Sequence, residues 1–138
     1  MGYRVSNTYL ENRVLGASPL ELVTILYEEA AKSVREAAAA IRAGDIRGRS
    51  RQITRAQLIL GELSASLNLD AGGELAVRLN DLYSYMQRRL AEAHVQQSMV
   101  PLEEVGKLLA TLADGWQRCA TNETTPRQPV SPEAMTAV

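Results

Sequence analysis

The sequence predicts an all-α protein: an antiparallel up-down four-helix bundle with a short N-terminal arm or helix and a disordered C-terminal tail. Three observations carry this. Four long segments repeat apolar residues at three- and four-residue steps, the breaks between them hold capping and turn residues, and no run alternates strictly at period two. Short connections make consecutive helices antiparallel neighbours. At 138 residues the chain fits one domain, long enough to bury roughly two-thirds of its unfolded surface. It divides into an arm at 1–17, a bundle at 18–120 and a tail at 121–138.

The arm carries Tyr3, Val5, Tyr9, Leu10, Val14 and Leu15. Val5/Tyr9 and Leu10/Val14 are i,i+4 pairs, but the segment is too short and irregular to be a stable helix alone. A mobile arm is expected, with a helical turn or two forming if it docks. Ser18-Pro19-Leu20-Glu21 then reads as a helix start, with Ser18 as cap, Pro19 in the first turn and Glu21 completing a capping box. The first long helix places Leu20, Val23, Tyr27, Ala30, Val34, Ala37 and Ile41 on one stripe, and Gly44 supplies the stop beside Asp45 as the next cap. Ile25 points nearly opposite Val23 and Ile41, so something outside the bundle must cover it, and the arm is the nearest candidate.

The second helix, from about Ile46 to Leu67, turns Ile53, Ala56, Leu60, Leu63 and Leu67 inward and leaves Leu58 outside. Arg47, Arg49, Arg51 and Arg55 read as a solvated charged face. Asn68 to Gly73 is a polar turn into the third helix, whose stripe is Leu75, Leu79, Leu82, Met86, Leu90 and Ala93. Tyr83 and Tyr85 fall on the flanks of that stripe, where a ring can bury its body and keep its hydroxyl wet. Pro101 opens the fourth helix, with Leu102, Val105, Leu109, Leu112 and Trp116 inward. From Thr121 the chain has no helical period and spaces Pro126, Pro129 and Pro132 three apart, the pattern of a disordered tail.

Chemistry is sparse. With 15 Lys+Arg against 16 Asp+Glu and a formal net charge of -1, nothing in the whole-chain field attracts nucleic acid. The single cysteine, Cys119, lies on the core stripe and is expected to be a buried inert thiol. No leader or long apolar run is evident, so a reducing cytoplasm and no membrane insertion are expected. His94 is the one histidine, and Ala91 three residues before it removes even a single Glu-x-x-His unit, so no metal is expected. No other cofactor is implied. Gly72-Gly73-Glu74 lacks the spacing of a P-loop. A phosphorelay-type signalling bundle would use His94, but Gln97 and Ser98 replace the lysine and glycine familiar after such a histidine. Adjacent carboxylates such as Glu28/Glu29 splay by ~100° and do not converge. The chain is therefore not expected to be an enzyme. Recognition remains: Leu22, Ile25, Leu58, Val77 and the flanking tyrosines exceed what a compact bundle must expose, which suggests a groove for partner helices.

ASPLELVTILYEEA at 17–30, GD at 44–45, ITRAQLILGELSASLNLDAGGELAVRLNDLYSYMQRRLAEA at 53–93 and LEEVGKLLATLADGW at 102–116 together resemble the FliS family, the cytoplasmic export chaperones of flagellin. The specific part is L-x-x-L-Y-x-Y-M-x-x-R-L in the third helix. The resemblance covers about residues 3–120. It implies a helical bundle that binds the disordered C-terminal segment of flagellin, keeps it from polymerising and delivers it to the flagellar export gate. It also implies an N-terminal segment that covers part of the groove when empty, and Tyr3, Tyr9 and Leu10 of the arm are expected to compete with flagellin. Wheel positions add Ile25, Leu58, Tyr83 and Tyr85 as partner contacts. Alternatives are the phosphorelay-type domain and a structural homodimer.

Overall fold

The computed structural model describes residues 2–121, with side chains from Tyr9 to Cys119. The described residues form five α-helices and no strand: α1 (Gly2–Leu15), α2 (Pro19–Ala43), α3 (Ile46–Ala65), α4 (Leu69–Gln96) and α5 (Met99–Thr121). The tail expected at 121–138 lies outside the described residues beyond Thr121.

Local chemistry sets the boundaries. Ser18 Oγ accepts the Glu21 amide at 3.2 Å, and Pro19 occupies the first turn of α2, where its missing N–H costs no helical bond. Gly44 ends α2 at φ 70, donating its N–H back to the carbonyls of Ala40 and Ile41. Asp45 then caps α3 by accepting from the Gly48 amide at 2.9 Å. The polar turn expected at 68–73 is a capped helical turn followed by a break. Asn68 accepts the Ala71 amide at 3.0 Å, and Gly73 leaves helical geometry at φ 56, ψ -138 before α4 resumes. An L side chain is strained in that conformation.

The arm differs from expectation. It is one helix of 14 residues, uninterrupted because no Gly or Pro falls between Tyr3 and Leu15. Its described tie to the rest is an ion pair from the Arg13 guanidinium to Glu28 on α2 at 3.3 Å, partly exposed on both sides. Tyr9 and Leu15 stay 69% and 84% exposed, so the helix does not drive a continuous apolar face into the core.

The principal contacts of α2 are with α3 and α5, and α4 contacts the same two helices. Gln57 and Gln87 bond each other's backbone across α3 and α4, and Ser64 bonds Asn80 at 2.6 Å farther along. Between α2 and α5, Val34 faces Gly106 and Tyr27 meets Trp116. The interior is mostly Leu, Val, Ile and Ala, with Tyr27, Tyr83 and Trp116 as its large rings.

Several expectations need correction. The buried line of α4 is Ala76, Leu79, Tyr83, Met86, Leu90 and Ala93, a strict three-four alternation. Tyr83 is therefore fully buried, with no wet hydroxyl, and Leu75 and Leu82 are only partly buried beside the core. Choosing the leucine over its tyrosine neighbour displaced part of the stripe by one residue. On α3 the basic run is not one solvated face. Arg47 and Arg51 are exposed, but Arg49 is buried and Arg55 reaches Glu29 at 2.9 Å and Ser33 Oγ at 2.6 Å on α2. Cys119 is part-exposed rather than sealed in the core.

Candidate partner-binding surface

The interior is closed to partners. Tyr27 and Tyr83 share a hydroxyl-hydroxyl hydrogen bond of 2.5 Å, and the edge of Trp116 meets Tyr27 at a centroid distance of 5.5 Å and 77°. Neither tyrosine has exposed surface. Burial, reinforced by its partner ring, pushes the Tyr27 phenol far above its ordinary range. Burial likewise pushes Tyr83 up to about 12, against a lowering by the bond from Tyr27. Both remain neutral at any physiological pH, so one hydroxyl can donate to the other.

Tyr85 does something different. It turns toward α5 and donates its hydroxyl to the Glu104 carboxylate at 2.8 Å, while Arg89 Nε reaches the same carboxylate at 2.6 Å. The Tyr85 bond first and the Arg89 bond second hold Glu104 below the usual carboxylate range. The mirror effect raises Arg89, through Glu104 and then Glu92. Tyr85 is raised chiefly by its bond to Glu104. This clasp joins α4 to α5 and leaves Tyr85 part-buried.

The seven residues expected to meet a partner do not form one patch. Tyr3 lies on α1, its side chain outside the described residues. Tyr9 is open and Leu10 part-buried on the same helix. Ile25 is 3% exposed yet stands outside the main core cluster, on the side of α2 adjoining Glu28, where Arg13 of α1 is anchored. Leu58 projects from α3, 67% exposed. Tyr85 faces α5, and Tyr83 is interior. Other exposed aliphatics are Ile46, Val95 and Val100 at the connections and Leu69 and Val77 on α4.

One concave feature escaped the sequence reading. Between α2 and α5 an open cavity of about 510 Å³ is lined by Ala31, Val34, Ala38, Met99, Leu102, Gly106 and Ala110, with Arg35, Arg42, Glu103 and Lys107 around it. The available signal was the small residues at helical spacing, Ala31 and Ala38 on one helix and Gly106 and Ala110 on the other. Small side chains at a helix-helix seam leave a furrow where large ones would close it.

Among the described residues no group of three or more His, Cys, Asp or Glu could hold a metal ion. No helix among them is long and apolar enough to cross a membrane. His94 is part-buried, and its Nδ1 is buried without a hydrogen-bond partner.

Comparison with known proteins gives this surface its context. Residues 2–123 match the family model described as flagellar protein FliS. A Salmonella typhimurium protein named flagellar secretion chaperone FliS is 33% identical over 110 residues, 79% of this chain and 82% of its own length. The Bacillus subtilis protein of the same name is 33% identical over 115 residues, 83% of this chain and 85% of that one. The Escherichia coli one is 30% identical over 122 residues, 88% and 90% respectively. The matched residues span all five helices. The chain belongs to the FliS family.

Proposed function

We propose that this protein is a flagellar export chaperone of the bacterial cytosol that binds the disordered C-terminal segment of flagellin, blocks its premature polymerisation and aids its delivery to the export apparatus. The single observation that carries the reading is the family match over residues 2–123, which takes in the whole helical assembly. The architecture proposed for it is an up-down-up-down antiparallel bundle of α2 to α5. Its support is the crossed pairing of Gln57 with Gln87 and Ser64 with Asn80, and of Tyr27 with Trp116 and Val34 with Gly106.

The physics suits the task. A segment that becomes helical in a filament has an apolar face that self-associates when unassembled. A rigid bundle with exposed aliphatics such as Leu58 and Val77 offers that face a preformed receptor. Apolar burial at ~25 cal/mol per Å² then offsets the entropy of ordering the segment. Bond making is not required. In the same reading α1 covers part of the receptor when it is empty, through Tyr3, Tyr9 and Leu10, with Ile25, Leu58 and Tyr85 meeting the cargo. The light fastening of α1 through a part-exposed ion pair supports a helix that can be displaced.

The test is filament growth from seeds of the host's flagellin with purified chaperone present. Stoichiometric chaperone is expected to stop growth, and a chaperone lacking residues 1–16 to do so at lower concentration. Unimpeded growth at stoichiometric chaperone contradicts the function; equal potency of the two forms contradicts the role of α1.

A further inference from the structure

Among the described residues four buried side-chain atoms lack a hydrogen-bond partner: Arg49 Nε, Gln52 Oε1, His94 Nδ1 and Trp116 Nε1. The first three gather at one end of the bundle. Gln57 pairs with Gln87 and Ser64 with Asn80, so seven residues down α3 are seven up α4, and one more such step sets Ser50 beside His94. Ser50 lies in the turn of α3 that carries Arg49 and Gln52. Tyr27 meeting Trp116 and Val34 facing Gly106 bring the start of α5 to the same end, where α2 gives way to α3 and α4 to α5.

Arg49 differs from the other unpaired cations. Arg47 and Arg51 are exposed, so water satisfies them. Arg49 is 8% exposed, and its Nε is sealed from solvent. A buried cation without a partner is costly. Asp45, one turn earlier, is engaged by the Gly48 amide, and Glu92 on α4 by Arg89. The group that completes this set is a carboxylate. A guanidinium is a permanent cation with N–H donors, an imidazole Nδ1 donates in one tautomer, and a glutamine amide turned over presents nitrogen in place of oxygen. The two oxygens of one carboxylate can accept all three. Ile46, Val95 and Val100 are exposed at the same end, so apolar residues beside that carboxylate would find cover there.

The chain supplies such an acid itself. Past Thr121 it reads NETTPRQPVSPEAMTAV, with two carboxylates, Glu123 and Glu133. From Thr121 back to Met99, α5 measures about 33 Å. Glu123 is two residues past the helix and cannot return that far. Glu133 is twelve past it, about 37 Å in the polyproline II form that Pro126, Pro129 and Pro132 favour and about 43 Å at full extension. That covers the length of α5 and turns over the end of the bundle. Glu133 also has Val130 and Pro132 before it and Ala134 and Met135 after it, the apolar neighbours that the end can cover. These residues lie beyond the family match, which stops at 123.

We propose that Glu133 seats its carboxylate on Arg49, Gln52 and His94, with Val130 and Met135 over Ile46, Val95 and Val100, so that the tail straps back along α5. The contact is this chain's own and is independent of the chaperone function proposed above.

The experiment uses the isotope-labelled full chain with a nitroxide at Met135→Cys in a Cys119→Ser background, and reads amide signals before and after the label is reduced. Ile46, Val95 and Val100 are expected to lose most of their signal. Leu69 lies at the opposite end, near Thr121, and is expected to keep it, whereas a free tail would weigh on Leu69 first. Glu133→Gln should restore the three signals, and Glu123→Gln should leave them lost. Without the nitroxide, removal of residues 122–138 should shift the Arg49 Nε–H and His94 ring resonances. All these changes lie outside the four bundle helices or on part-exposed Cys119, so the fold is kept. Full signal at Ile46, Val95 and Val100 overturns the proposal. Equal losses in Glu133→Gln also overturn it, since the tail would then dock without its carboxylate. Mixing isotope-labelled protein with separate nitroxide-bearing protein gives the last outcome: losses there would make a second copy the donor and overturn the strap.

Discussion

The two faces of α2 handle polar groups in opposite ways. Toward the interior, Tyr27 turns its hydroxyl to Tyr83 and its ring to Trp116, both sealed from solvent. Toward α5's outer edge, Arg35 and Arg42 stand beside an apolar furrow with nothing spent. The same helix thus carries a finished contact and an unfinished one. The finished contact explains stability, and the other leaves charge and apolar surface open. Polar groups saturated inside the fold rigidify it, whereas unpaired charges beside exposed apolar surface become favourable only with a partner present.

Truncation of the interior should give the largest effect. Trp116→Ala removes the ring packed on Tyr27 and should cost about 3–5 kcal/mol in urea unfolding. A loss below ~1 kcal/mol would mean that the aromatic cluster is not central to the fold. The hydroxyl pair makes a sharper distinction. Tyr27→Phe alone strands the Tyr83 hydroxyl and should cost about 1–3 kcal/mol, whereas Tyr27→Phe with Tyr83→Phe should restore most of the loss. Additive losses in the double variant would show that the two hydroxyls do not satisfy each other.

Titration separates the two regions again. The phenols of Tyr27 and Tyr83 are raised, so the folded state keeps protons that the unfolded chain releases above ~10. Their contribution is therefore full below that pH and lost as pH climbs toward about 12, the value for Tyr83. The double Phe variant should be less sensitive over that interval in pH-dependent urea unfolding. Glu104 has the opposite sign. Its pKa is lowered, so the clasp contributes above the ordinary carboxylate range and weakens as pH falls through the depressed value. Tyr85→Phe should reduce this acid-side slope and, because the Tyr85 phenol is itself raised by Glu104, should also lower the alkaline one.

The smallest change in stability is expected on the open side. Leu58→Ser should move unfolding by no more than about 0.5 kcal/mol, because the side chain is 67% exposed. Its affinity for the flagellin segment should nevertheless fall by about 1 kcal/mol if Leu58 meets the cargo. Unchanged affinity would remove Leu58 from the binding surface and leave the comparison resting on the furrow alone.

Much of the helical order was legible because its signals are local. Ser18, Gly44 and Asp45 act within three or four residues of themselves, and their roles follow from residue type and position. Tyr83 was misplaced for a different reason. Leu82 and Tyr83 are adjacent apolar candidates, and the choice between them depends on a hydroxyl partner 56 positions away, Tyr27. Period alone cannot supply that. Arg55 was misread similarly, since a basic run looks solvated until Glu29 and Ser33 on another helix are placed beside it. Ile25 shows the reverse: its displacement from the α2 stripe was visible, and the structure buries it outside the main core. The furrow was the least legible feature, because it is made of what small residues on two distant segments leave empty.

The central claim is that the unfinished surface is completed by a segment that folds as it binds. Isothermal calorimetry over a range of temperatures, with the full chain and the terminal ~60 residues of the host flagellin, tests it most directly, because coupled folding buries far more apolar surface than rigid docking. The account predicts one-to-one binding with a large negative heat-capacity change. Binding with a heat-capacity change near zero, or no binding at micromolar concentrations, would contradict it.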